Sequence, residues 1–203
     1  MTKYRFTKKD FDVFRVDGLA ARMEALIETT RPKLENLGEH FAVFITEMTG
    51  DEHYAHVAQH ARRKVNPPDD TWVSFSTNPR GYKMMPHFQI GLFKDHAFCM
   101  YGVIYESDAK VEVAKKWLEN IEMFDDFPRD FQVSLDHMQP DKMVLGEMSD
   151  EDLVAGLKRV VNVKKGEFLV GKVYKPGDAE MKKDADFIED LERVMEQLHV
   201  LYK

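Results

Sequence analysis

Three histidines, His53, His56 and His60, stand three and four residues apart in the run HYAHVAQHARRK. The spacing around them predicts a short helix over 51–63, which would put all three imidazoles on one face. Neutral imidazole is the commonest transition-metal ligand, and histidines one turn apart are a known zinc geometry. With His87 or an acidic residue completing the shell, a bound metal could make hydroxide near neutral pH, the chemistry of a metal-dependent hydrolase. The glutamate of the H-E-x-x-H pattern is missing, Val57 and Ala58 occupying that region, and no cysteine pair assists. The plainer reading of the trio is surface or half-buried histidines at a helix–loop junction.

Cations follow directly at Arg62, Arg63 and Lys64, and again at Arg80 and Lys83 around a turn. Arginine suits bidentate contact with phosphate or carboxylate, although cations at a helix C-terminus also offset its dipole. Strand alternation between these groups places Val73, Phe75, Phe88, Ile90 and Leu92 on an apolar face. Trp72, Ser74, Ser76, His87 and Gln89 then share the other. The next strand adds either Cys99 and Tyr101 or Phe98 and Met100 to that polar face, according to register. Indole, hydroxyl, amide and imidazole together resemble the lining of a small-molecule site. Arg62, Arg63, Trp72, Arg80, Lys83, His87 and Gln89 are therefore the candidate binding set. Their ligand would be small and anionic, phosphate-bearing or nucleotide-like, in a cleft formed by residues 53–93.

Other chemistry is weakly supported. Asp136 and His137 are adjacent, so on a strand they point opposite ways and cannot orient one another. Cys99 lies mid-strand among Phe98, Met100 and Tyr101, a setting for a buried inert thiol. The chain has no GxGxxG, Walker A, GxSxG or CxxC motif, which leaves no catalytic residue or cofactor assigned.

The elements that must position these groups are legible in outline. Leu19, Met23, Leu26 and Ile27 recur at helical spacing. Thr30 is placed to cap a second helix with Pro32 in its first turn, and Leu34, Leu37, Phe41, Phe44, Ile45 and Met48 form a stripe that Gly50 ends. A strand meander over 71–105 follows, with a turn at Asn78-Pro79-Arg80-Gly81. Pro86 suggests that the strand over 82–93 is an edge or bulged. Helices are expected after Asp108 and Ser149, strands near 131–136 and 166–174, and a long amphipathic helix from Phe187 to Leu198. This order argues for an α+β fold with a largely antiparallel sheet, packed by N-terminal helices and the C-terminal helix, in a single domain over 1–203.

Bulk composition bounds the function. The 203 residues are 43% hydrophobic and 32% charged, ordinary for a globular chain, and no apolar run approaches a membrane span. One cysteine precludes an intrachain disulfide and fits a reducing compartment, so the cytoplasm is the expected location. The formal charge is −7, and residues 104–159, with 14 acidic and 7 basic side chains, account for all of it. That balance disfavours a general nucleic-acid binder, and the pattern specifies no oligomeric state. It leaves room for a third reading, an interaction module whose acidic half meets a basic partner.

The segments HARRKVNPPDDTWVSFSTNPRGYKMMPHFQIGLF, SLDHMQPDK and VNVKKGEF resemble the YktB family of small bacterial proteins, a family of unknown function. The resemblance spans essentially the whole chain. It implies one α+β domain and a bacterial cytosolic source, and it carries over no reaction and no catalytic residue.

Overall fold

The computed structural model describes residues 2–203. Its centre is a seven-stranded antiparallel sheet in the order β1-β2-β3-β4-β7-β5-β6. The strands are β1 (Tyr54–Val57), β2 (Asp70–Ser76), β3 (His87–Phe93), β4 (Ala97–Val103), β5 (Gln132–Ser134), β6 (Met143–Val144) and β7 (Phe168–Tyr174). The helices are α1 (Lys8–Asp12), α2 (Leu19–Ala25), α3 (Arg31–Thr49), α4 (Lys110–Glu119), α5 (Asp150–Asn162) and α6 (Asp184–Leu198). The fold is α+β, as the order of sequence signals predicts.

Register sorts the side chains. Val73, Ile90 and Cys99 lie on one rung, and Phe75, Phe88, Tyr101 and Val170 on another. This face meets the helices. Leu34, Leu37, Phe41 and Ile45 from α3, Phe187, Leu191 and Leu198 from α6, and Trp117 from α4 all reach 0% exposure in the shared core. Their recurrence at helical spacing is what lets each helix bury a continuous stripe. α5 starts on a true capping box, in which Ser149 Oγ accepts from Asp152 N at 3.2 Å and the Asp152 carboxylate accepts from Ser149 N at 3.0 Å.

The opposite face carries Trp72, Ser74, His87, Gln89, Phe98, Met100 and Leu169, so register selects Phe98 and Met100 rather than Cys99 and Tyr101. Connecting segments cover it. Tyr82 lies against Trp72 and His87, with ring centroids 6.5 and 4.8 Å away, and Lys142 Nζ sits 4.8 Å above the Phe93 ring.

Three expectations are corrected. Residues 51–63 do not form a helix; Tyr54–Val57 is an edge strand. Gly50 ends α3 in a left-handed conformation (φ 80°), and the chain then returns alongside β2, whose edge supplies hydrogen-bonding partners that a local helix could not match. Gly38 admits this close return, since a Cβ there would lie 3.1 Å from Ala55 Cβ. Second, β3 is an interior strand, and Pro86 immediately precedes it. Proline has no N–H for the ladder, so pairing begins at His87. Third, Thr30 does not open a separate helix: Leu26–Thr30 is a π-helical turn that runs straight into α3.

Candidate functional site

The strand at 54–57 separates the three histidines. His53 turns toward the helix side, its ring 6.4 Å from Phe88 and 5.6 Å from Tyr202, and Nδ1 lies 2.8 Å from Asp51 O. His56 pairs with Ser74 on the other face and donates from Nε2 to Asn78 O at 3.0 Å. His60 stands edge-on to Trp72, with Nε2 3.3 Å from Thr71 Oγ1, and burial followed by the Arg63 and Arg31 charges pushes its pKa down to about 4. The sequence reading of His53, His56 and His60 as one ligand set is therefore set aside: it required a helix that the β1–β2 pairing replaces.

The seven candidate binding residues have separate settings. Trp72 Nε1 donates to Tyr82 OH at 3.1 Å, while His87 is 1% and Gln89 6% exposed beneath covering segments. Arg63 braces its own loop by donating to Pro67 O at 3.1 Å. Arg62 and Arg80 are exposed, and Lys83 Nζ is 2.7 Å from Glu106 Oε1. Cys99 is fully buried, and burial raises its thiol pKa far from the reactive range.

The sequence reading missed a partnership at one end of the sheet. Asp136 and His137 lie in the turn after β5 and do not pair, but Glu167, the residue before β7, reaches His137. Its carboxylate accepts from His137 Nδ1 at 2.8 Å, from His137 N at 2.8 Å and from Tyr105 N at 3.2 Å. Glu167 is 2% exposed, and Glu106 joins the pair, the three offering ligand atoms within 4.8 Å of one another. Burial lowers the His137 pKa, but the Glu167 hydrogen bond and the charges of Glu167, Glu106 and Asp70 outweigh it and leave the imidazole raised. The sequence offered one faint signal for this centre, a glutamate set among apolar residues at a strand start in GEFLV.

At the other end of the same strands lies a cleft of about 970 Å³, lined by Arg5, Lys8, Arg15, Lys94 and Lys182 against Asp12 and Asp95. Phe6, Phe11 and Met181 contribute apolar wall. Arg5 is held in place because Asp184 accepts from the backbone N–H groups of Lys3, Tyr4 and Arg5 at 2.8, 3.3 and 2.9 Å. Both acids are engaged: Asp12 with Lys8 and Arg15, Asp95 with His96 Nδ1 at 2.7 Å. Lys94 and Lys182 are exposed at its rim.

Known proteins agree with the bacterial resemblance and add no activity. The family model described as Domain of unknown function (DUF1054) matches residues 6–202. A UPF0637 protein of Macrococcus caseolyticus is 52% identical over 202 residues, covering 100% of both chains. UPF0637 proteins of Staphylococcus haemolyticus and Staphylococcus aureus are each 50% identical over the full length of this chain. With a family model spanning nearly every residue and half of all positions shared end to end, the chain belongs to the DUF1054/UPF0637 family of bacterial proteins of unknown function.

Proposed function

We propose that this protein binds a small anionic ligand carrying a phosphate or comparable group. The observation that supports it is the cleft beside the β3–β4 turn, where Lys8 and Arg15 offset Asp12, His96 engages Asp95, and Lys94 and Lys182 stand exposed without a carboxylate partner among the described residues. Cations focused in a concavity with low-dielectric walls raise the local concentration of an anion. The apolar wall from Phe6, Phe11 and Met181 suits a ligand with an organic body as well as a charge. This moves the site away from residues 53–93. There His87 and Gln89 are covered, Trp72 is half-buried, Arg63 and Lys83 are engaged with protein groups, and Arg62, Lys64 and Arg80 are exposed.

Inorganic pyrophosphate is the probe. At a hundred times its Kd it would stabilise the fold by roughly 2.7 kcal/mol, a Tm rise of roughly 5–10 °C for a chain of this size. The double variant Lys94→Glu with Lys182→Glu abolishes the rise, and Arg62→Ala with Arg80→Ala leaves it intact. A rise lost only in the second pair returns the site to 53–93. No rise in the wild-type protein with any polyphosphate removes the anion-binding reading.

A further inference from the structure

The carboxylate–histidine centre at the opposite end of the strands does two things at once. Glu167 pins Tyr105 and His137, which explains its burial. It leaves unexplained a second group of atoms beside it. His87 is 1% exposed; its Nδ1 donates to Met85 O at 2.9 Å, so in the neutral ring Nε2 is the lone-pair nitrogen. That Nε2 is buried without a hydrogen-bond partner, and so is Glu106 Oε2, whose sister oxygen takes Lys83. Each such orphan destabilises the fold if nothing fills it. Ser74 Oγ is a third orphan on the same face, and it has no acidic neighbour of this kind.

The orphans share a place. His87 projects from the face that carries Leu169, and hence Glu167 two residues earlier. On that rung β4 contributes Gly102 between His87 and Leu169. A Cβ there would lie 2.1 Å from Phe168 O and 3.0 Å from Leu169 Cγ, so β7 packs directly against β4 and only glycine fits this rung. The charges acting on His87 come from His137, Glu167 and Glu106, the members of the centre. His137 has its Nδ1 fixed by a carboxylate, the arrangement that typically stands behind a metal-binding imidazole and leaves Nε2 for the ion.

We propose that Glu106 and His137 bind a divalent transition-metal ion, with Glu167 as the positioning residue behind His137 and His87, which lies outside the group of atoms within 4.8 Å of one another, turning its unpartnered Nε2 in as the third ligand. One cation would satisfy both orphaned atoms and add to the positive charge that Lys83, Lys110 and His137 bring to the two glutamates. Two imidazoles and a carboxylate suit the ions from Mn²⁺ to Zn²⁺, with sites left open for water or a ligand.

The test uses the full chain, stripped with EDTA, desalted and titrated with Co²⁺, whose visible absorption reports nitrogen and oxygen ligation, and with Zn²⁺ by calorimetry. One ion per chain is expected. Glu106→Gln, a near-isosteric change at a half-buried position, and His87→Gln each weaken binding at least ~10-fold, while His53→Ala with His60→Ala changes nothing. Circular dichroism melts of each variant confirm folding. The proposal is overturned if the wild-type protein shows no saturable binding, which would leave water as the only occupant. It is equally overturned if folded Glu106→Gln binds as tightly as wild type. Lys94→Glu with Lys182→Glu leaves metal binding unchanged, so this result and the anion test fail separately.

Discussion

At one end of β3, β4 and β7 the chain gathers Arg5, Arg15, Lys94 and Lys182 around an open cleft; at the other it gathers Glu106, His137 and Glu167 with His87 close by. The strands are the same and the chemistry is inverted. The cationic end is assembled from side chains on loops and short helical segments, Arg5 and Arg15 engaged with protein groups and Lys94 and Lys182 exposed, whose joint effect is a field. The acidic end is centred on Glu167, buried and tied to two backbone N–H groups, whose position is fixed and whose removal leaves partners stranded. An exposed charge acts through solvent and is screened by salt; a buried one acts through geometry and costs desolvation whether or not a ligand is present. The two ends should therefore respond differently to substitution.

The largest contrast is in stability. Glu167→Leu strands the N–H groups of Tyr105 and His137 and removes the carboxylate holding the imidazole. At about 1–3 kcal/mol per buried orphan, a loss of roughly 3 kcal/mol is expected in urea unfolding at pH 7. Lys94→Ala, at the exposed end, leaves the midpoint within experimental error. Equal effects from the two substitutions would erase the distinction.

A second contrast lies in pH. Asp70 opens β2 opposite Phe93 and is 3% exposed; burial pushes its carboxyl up to about 6, against a pull downward from Arg63 and His137. The folded state therefore holds this proton up to about pH 6, whereas the unfolded chain releases it near 3.8. Between those values the folded state binds more protons, so this group's contribution to stability falls as pH rises and stays constant above the window. Two pH units correspond to at most ~3 kcal/mol. Asp70→Asn is accordingly more stable than wild type at pH 7, by about 1–3 kcal/mol, and no different at pH 4. Stability curves for the two proteins that run parallel across pH 4–7 would show that Asp70 titrates normally.

The architecture was readable because it rests on periodicity. The stripe from Leu34 to Met48, the alternation in TWVSFST and HFQIGLF, and the amphipathic run from Phe187 each report burial directly, and the polar face shared by Trp72, Ser74, His87 and Gln89 came out as alternation required. Residues 51–63 failed because three histidines at helical spacing say nothing of the open β2 edge, a long-range term that overrides local preference. The centre at Glu106, His137 and Glu167 was illegible for the same reason. Its members come from the β4–α4 connection, the segment after β5 and the residue before β7, and the β4–β7 and β5–β7 registers bring them together. The cleft at Lys94 was hidden likewise: its cations lie in three separate stretches of chain, none a motif.

The smallest expected effect separates the two ends most finely, because it concerns a cation that belongs to the acidic end. Lys83 is 50% exposed and pairs with Glu106, 23% exposed, at 2.7 Å. Pairs of this kind contribute at most ~0.5 kcal/mol after solvent screening and the entropy of holding a long side chain. Lys83→Ala should thus cost about that much in dilute buffer and nothing measurable in 0.5 M salt, roughly the regime where the Debye length falls to a few ångströms. If Glu106 needed Lys83 to stay in place, the cost would be larger and would survive salt, and the acidic end would be a self-contained ion pair. A small, salt-sensitive cost means instead that Glu106 is held by the fold, with Oε2 directed inward independently of the lysine. That second outcome is what a preorganised ligand requires, since an oxygen fixed before its ion arrives loses little freedom on binding.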